Sequence, residues 1–467
     1  MNPPSSSSSV VSEPSVLKKI AILGAGITGL TAAHRLTKQG HAVRLFEQSS
    51  RTGGVIGSER IDGWLLEHGP NSLLENEPAL TSLLAELKLG DEICPASTTA
   101  RKRFIVRGGK PVAAPMSPPA LLGTTLFSFG AKCRLLGEVF HRPRQRKHDV
   151  SLAAFIADHF GQEIVDYGLN PFVSGVYAGD PTKLSARHAF PALWASEREK
   201  GSIIRGMIAA AKARKAARQK RGGIFSFQHG LQTLPDALAS ALPPGVLQLN
   251  AAVESLEPGN AWTVRYRHAG EQRAETFERV ISALPAGALA TLPIGSDCTA
   301  PLASLAEIEF PPVTALFLGY RRDQIAHPLD GFGMLVPAVE QRSVLGVLFS
   351  STLFPGRAPS DHVALTVMVG GTRQTELTTV SEDELFARVQ TDLAELLGVH
   401  GPPVFQRRRT WPRAIPQYTL GYERHLDAMA ACERQFPGLF IGGQCRDGIA
   451  VPACIAAGEK LAARATA

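Results

Sequence analysis

Three glycines and one glutamate carry the clearest chemical signal in this chain of 467 residues. Gly24, Gly26 and Gly29 stand in a G-x-G-x-x-G spacing directly after an apolar run, and Glu47 follows roughly 20 residues on, the spacing of a dinucleotide fingerprint. Each residue type has a task in such a site. Gly24 permits a tight turn, Gly26 lets a pyrophosphate approach the backbone, and Gly29 lets the next helix pack closely on the strand. The first turn of that helix offers free N–H groups and a partial positive charge. The Glu47 carboxylate can accept hydrogen bonds from ribose hydroxyls. All of this requires strand, turn, helix and second strand over residues 18–48.

Two further glycine groups point to the same ligand. Arg51-Thr52-Gly53-Gly54 follows Glu47, and its adjacent glycines allow a second close backbone approach. Near the C-terminus, residues 438–444 (GLFIGGQ) read as a short strand ending in glycines. Gly448-Ile449-Ala450-Val451-Pro452 then opens a helix lined by small residues. A helix N-terminus there can face the pyrimidine edge of a flavin and stabilise its anionic reduced ring. That favours FAD over a nicotinamide cofactor, with Gly443, Gly448, Ile449 and Val451 as candidate contacts. A final helix packed through small residues is the alternative.

The elements that must hold these groups suggest an α/β chain (α+β overall). A chain this long implies two or three domains. The expected arrangement is a discontinuous, Rossmann-like FAD-binding domain over residues 16–95, 221–300 and 405–467. It is interleaved with a mixed-sheet substrate-binding domain over 301–404 and a helical insertion over 96–220. Residues 1–15, rich in serine and proline, are expected to form a disordered tail. The apolar fraction is 44%, enough for real cores. No apolar run reaches about 18 residues, which argues against a membrane-spanning helix.

The net charge is +7, and part of it lies in residues 198–221, with Arg198, Lys200, Arg205, Lys212, Arg214, Lys215, Arg218, Lys220 and Arg221. No nucleic-acid module surrounds this stretch, so no nucleic acid is expected as partner. A solvated helix and a contact with an anionic membrane surface are the two open readings. The apolar segment 118–129 fits a membrane interface, a cover over a substrate tunnel or ordinary core. Six cysteines form no C-x-x-C pair. That suits reduced thiols in the cytoplasm and gives no sign of a metal site.

The motifs resemble the flavin amine oxidase superfamily and, within it, the protoporphyrinogen oxidase family. The closer resemblance rests on Glu67-His68-Gly69-Pro70-Asn71-Ser72, Arg103-Phe104-Ile105-Val106, and residues 170–181 (NPFVSGVYAGDP), 331–337 (GFGMLVP) and 345–351 (LGVLFSS). It extends over most of the chain. It implies oxygen-dependent oxidation of protoporphyrinogen IX to protoporphyrin IX in haem biosynthesis, with hydride passing to FAD and O2 reoxidising the flavin to give peroxide. It also implies that Ile27, Thr28, Gln48, Gly69, Pro70, Asn71 and the backbone of Val253 join the cofactor contacts. Arg103 matches the family arginine that pairs with a propionate, and Leu335 and Leu348 match leucines that sandwich the tetrapyrrole. Met368 stands where plant-type members resemble one another in a phenylalanine, so a thioether replaces an aromatic ring there. The Gly175 carbonyl is the family-based candidate for guiding proton loss. His68 and His229 are expected to make structural hydrogen bonds. Homodimerisation, peripheral attachment to the inner face of the cell membrane and hand-over to ferrochelatase are further implications.

Alternatives stay open at this point. Coproporphyrinogen III, with four propionates, would call for more cations around the pocket. An amine oxidase, a carotenoid desaturase and a non-catalytic flavoprotein share the nucleotide fingerprint. Arg103 could be an ordinary surface-strand arginine, and the two leucines ordinary core.

Overall fold

The computed structural model describes residues 17–142, 146–216, 222–295 and 300–467. The expected N-terminal tail and Arg218, Lys220 and Arg221 of the basic stretch lie outside the described residues.

The strand Lys19–Leu23 buries both faces: Ile20 and Ile22 point to one core, Ala21 and Leu23 to another. Such a near-continuous apolar run suits the centre of a parallel sheet. It is the middle of a five-stranded sheet with order Leu247–Gln248, Ala42–Phe46, Lys19–Leu23, Arg279–Ser282, Leu439–Ile441, in which every pair is parallel. Helices Ile27–Lys38 and Val451–Thr466 cover one face. The other face carries an antiparallel three-stranded sheet, Ala251–Glu257, Trp262–His268 and Glu271–Phe277, packed through Phe46, Tyr266 and Phe277. The sheet thus brings the two ends of the chain together. Both glycine groups leave it at the carboxyl ends of its strands, where open α/β sheets place their ligands.

A second, seven-stranded sheet has the order Phe405–Trp411, Val313–Arg321, His362–Gly370, Val344–Leu348, Gly331–Leu335, Lys102–Arg107, Lys110–Ala113. It is antiparallel except where Gly331–Leu335 meets Lys102–Arg107. Helix Glu382–Leu397 seals one face through Leu385, Val389 and Leu393, against Leu316, Leu318, Val347 and Val367. This sheet corrects two expected boundaries. The insertion expected to be helical from residue 96 opens with a hairpin, because alternating KRFIVR turns at Gly108 and Gly109, both at positive φ, and returns as KPVA. Residues 405–411 belong to this sheet, since the strand pairs along the whole of Val313–Gly319.

The longer helices of the rest of the insertion are Pro118–Gly123, Phe129–Gly137, Leu152–Phe160, Asn170–Tyr177, Pro191–Lys200 and Ile203–Ala216. The basic stretch is not one helix. Gly201, left-handed at φ +72, ends the first helix, and the second begins at Ile203. Among the described residues no helix is long and apolar enough to cross a membrane.

Candidate functional site

The first glycine turn has the geometry its spacing implies. Gly24 sits at φ +94, and its N–H donates to the Phe46 carbonyl at 2.8 Å. A Cβ on Gly29 would overlap the Gly24 carbonyl oxygen, so helix and turn touch backbone to backbone. A Cβ on Gly26 would meet nothing within 4 Å, which leaves room for a ligand. Helix Ile27–Lys38 has no side-chain cap, so the first-turn N–H groups around Ile27 and Thr28 have no capping side chain. The Ala25 N–H donates to Glu47 Oε2 at 2.8 Å and Ser49 holds Oε1, which fixes the carboxylate beside the turn.

The second glycine pair closes against the first. The Gly53 N–H donates to the Ala25 carbonyl at 2.9 Å, and Gly54 lies against Gly26. The Arg51 guanidinium donates to the Thr52, Gly54 and Ile56 carbonyls and so braces the loop from within. Gly69 packs on the Val55 carbonyl, and the Asn71 amide donates to the Gly69 carbonyl at 3.2 Å, which brings Gly69, Pro70 and Asn71 to the same loop. Val253 lies two residues beyond Ala251, whose N–H donates to the Glu47 carbonyl. Gln48 is exposed beside them.

The C-terminal group converges on the same place. Helix Val451–Thr466 also starts without a side-chain cap, and Pro452 stands in its first turn. The Thr28 hydroxyl donates to the Cys454 carbonyl at 3.1 Å, and Gly458 packs directly on the Thr28 backbone. Two uncapped helix N-termini therefore face one cradle formed by Gly26, Gly54, Gly443 and Gly448. Ile449 packs on the adjoining core. Cys445 is a buried thiol, and burial pushes its pKa up to about 11. Open glycine surface, uncapped N–H groups and a fixed carboxylate together fit an FAD diphosphate and ribose.

The substrate candidates share one face of the seven-stranded sheet. Directly paired residues on antiparallel strands point to the same side. The pairs Leu335↔Gly346, Gly346↔Met368 and Met368↔Ala315 make one row across four strands. Gly333, Leu348, Thr366 and Phe317 make the next row. Leu335, Leu348 and Met368 stay half-buried while their strand neighbours are buried. Trp64 and Leu66 cover one end of this face, and the His68 ring lies 6.2 Å from that of Phe317. Helix Asn170–Tyr177 covers the other end: a Cβ on Gly175 would overlap the Leu335 Cδ2 methyl. Ile105 pairs with Leu335, which puts Arg103, two residues away, on the same side. Its guanidinium lies 5.3 Å over the Phe332 ring and makes no ion pair among the described residues.

Several residues of this site had no short-range signal. The Tyr418 hydroxyl donates to the Gln444 carbonyl and accepts the Gly448 N–H at 3.1 Å, while Tyr422 donates to the Cys445 carbonyl at 2.7 Å. Together they clamp the loop between Gly443 and Gly448. The Trp411 indole N–H donates to the His68 carbonyl at 2.7 Å, and the His68 ring meets Glu59. His229 is exposed. Glu67 is buried against Arg357 at 3.4 Å and accepts hydrogen bonds from Ser58 and the Leu231 N–H. Burial raises the Glu67 carboxyl to about 7, with Arg357 and these donors opposing the rise. Burial likewise lowers the Arg357 pKa.

This is the architecture of an FAD-binding oxidoreductase: a nucleotide cradle on a parallel sheet, facing an apolar wall on a second sheet. Residues 27–466 match the family model of flavin containing amine oxidoreductase, and the chain belongs to that family. It is 36% identical to protoporphyrinogen oxidase 2, chloroplastic/mitochondrial, of Arabidopsis thaliana, over 95% of this chain and 93% of that protein. It is 27% identical to coproporphyrinogen III oxidase of Staphylococcus aureus, over 95% of this chain and 98% of that one. A solved protein of Exiguobacterium sp. 255-15 shares the fold, with TM-score 0.80 at 23% identity over 96% of this chain and 98% of its own.

Proposed function

We propose that this chain oxidises protoporphyrinogen IX to protoporphyrin IX, with oxygen as the final acceptor. The observation that carries the reading is the two adjacent rows that set half-buried Leu335, Met368 and Leu348 on one face, with the free guanidinium of Arg103 on the same face. FAD, held by the cradle of Gly26, Gly54, Gly443 and Gly448, would supply a hydride acceptor that O2 can reoxidise, with peroxide as the by-product. The protein's part is to orient the donor. Apolar side chains receive the flat faces of the macrocycle, and Arg103 fixes one propionate bidentately. Helix Asn170–Tyr177 presses Gly175 against Leu335 and limits where the ring can sit. The carbonyl of Gly175 is our candidate for guiding proton loss, and catalysis rests chiefly on orientation.

A second reading is coproporphyrinogen III oxidation. Arg409 extends the Leu335 row and Arg407 the Leu348 row on the far edge strand, and neither makes an ion pair among the described residues. Cations at both ends of the wall would suit four carboxylates. The test is turnover of both porphyrinogens side by side by FAD-loaded protein, followed by porphyrin fluorescence. Preference for protoporphyrinogen IX supports the first reading, and preference for coproporphyrinogen III supports the second. Turnover of neither would sink both.

The same reading includes peripheral attachment to an anionic membrane. Phe129 and Phe140 are 82% and 83% exposed, and Leu122 and Met207 are also exposed on the helical insertion that carries Lys132, Arg198, Lys200 and Lys212. Sedimentation with anionic vesicles, reduced by Phe129→Ser with Phe140→Ser, tests it. Hand-over of product to ferrochelatase and homodimer formation belong to the reading through the family resemblance.

A further inference from the structure

Two groups of imidazole and carboxylate ligands lie apart from the cradle and the sheet face: Glu138, His141, His159 and Asp149, His188, Glu423. In the first, ligand capacity is already used. Glu138 accepts from His159, Ser202 and the N–H groups of Ile203 and Ile204, and the other His159 nitrogen meets Glu197. The second group is different.

Asp149 Oδ1 accepts the Val150 N–H at 2.9 Å and the Arg187 N–H at 3.4 Å, but Oδ2 is buried and has no hydrogen-bond partner. His188 Nε2 is also buried without a hydrogen-bond partner, 3.2 Å from Glu423 Oε2. Arg187 engages the other Glu423 oxygen. One ligand atom from each of the three residues lies within 4.8 Å of the other two. A buried carboxylate oxygen without a donor is costly. A proton on His188 Nε2 would serve one carboxylate and leave the other unanswered. A divalent cation would answer all three. Metal–ligand bonds of about 2.0–2.1 Å in a tetrahedron set ligand atoms roughly 3.3 Å apart. The 3.2 Å separation of His188 Nε2 and Glu423 Oε2 matches that spacing.

We propose that Asp149, His188 and Glu423 form a structural site for a Zn2+-class divalent cation, with water as the fourth ligand. One imidazole and two carboxylates suit this borderline class. The site would join three distant segments. Asp149 precedes helix Leu152–Phe160, His188 lies in the short turn of helix Ala186–Ala189, and Glu423 opens helix Glu423–Gln435. Tyr422, adjacent to Glu423, holds the Cys445 carbonyl in the cradle. The ion would therefore tie the helical insertion to the segment that positions the cofactor loop.

The test uses full-length, FAD-loaded protein stripped with a chelator and titrated with Zn2+ by calorimetry and with Co2+ by visible absorption. Saturable one-to-one binding is expected, with a rise in Tm. Asp149→Asn and His188→Gln should each weaken binding roughly 10-fold or more, a ligand change costing at least what a supporting partner does. Flavin absorption and the metal-free melting curve show whether each variant is folded, and Glu423→Gln, on a more exposed ligand, serves if one is not. Absence of binding, or binding of equal strength in the folded variants, would overturn the proposal.

Discussion

Replacing Gly175 with alanine separates a steric role for this residue from a chemical one. The new Cβ would overlap Leu335 Cδ2 but leave Cγ and Cδ1 at 3.6 and 3.7 Å, so a single methyl carries the conflict. Overpacking of this kind costs about 1–3 kcal/mol. Helix Asn170–Tyr177 regains about 0.5–1 kcal/mol from replacing a helical glycine. The net expectation is a loss of roughly 0–2.5 kcal/mol in stability, with Leu335 displaced within the proposed substrate wall and a higher KM. Leu335→Ala in the same background removes the overlapping methyl. The two changes should then couple favourably, by about 1–3 kcal/mol in denaturant unfolding. If Gly175 acts mainly through its carbonyl, adding Gly175→Ala to Leu335→Ala should leave kcat at the value of Leu335→Ala alone, since the backbone is retained. Strictly additive effects on stability would refute the contact. A kcat in a stable double variant well below that of Leu335→Ala alone would refute the carbonyl argument.

Further predictions test other parts of the site. Arg103→Ala should raise KM by about 1.5–3 kcal/mol, the worth of hydrogen bonds to a charged group, while FAD content and Tm hold; unchanged KM would remove Arg103 from the site. Gly29→Ala drives a Cβ into the Gly24 carbonyl, so the purified protein should carry little FAD, and a normal flavin-to-protein absorbance ratio would contradict the cradle. Tyr418→Phe removes the partner of both Gln444 and Gly448 and should weaken FAD binding by about 1–3 kcal/mol, read by flavin fluorescence titration. Glu67 titrates in the folded state at about 7, above its ordinary value of 4.5. The folded state therefore holds more protons between those values, and stability falls as pH rises through that window, by up to about 3 kcal/mol. Glu67→Gln should flatten this slope, and identical slopes would argue against the raised carboxyl.

The nucleotide cradle was legible because its requirements are local. Gly24, Gly26, Gly29 and Glu47 answer to a turn, a close approach and a strand end, each written within a few residues. The proposed substrate wall was reachable only through family resemblance. Leu335, Leu348 and Met368 look like strand core until cross-strand register sets them on one half-buried face. The hairpin at residues 102–113 was absorbed into an expected helical region, because its partner strand lies more than two hundred residues away. The Tyr418 and Tyr422 clamp and the Glu67–Arg357 pair depend on contacts that no spacing announces.

The most direct test of the account is anaerobic mixing of FAD-loaded protein with protoporphyrinogen IX, watching the flavin's visible absorption, followed by admission of oxygen. Bleaching is expected on mixing, then recovery with oxygen, with porphyrin accumulating alongside three peroxides for each macrocycle. Porphyrin formed no faster than in buffer, with the flavin still oxidised, would contradict it.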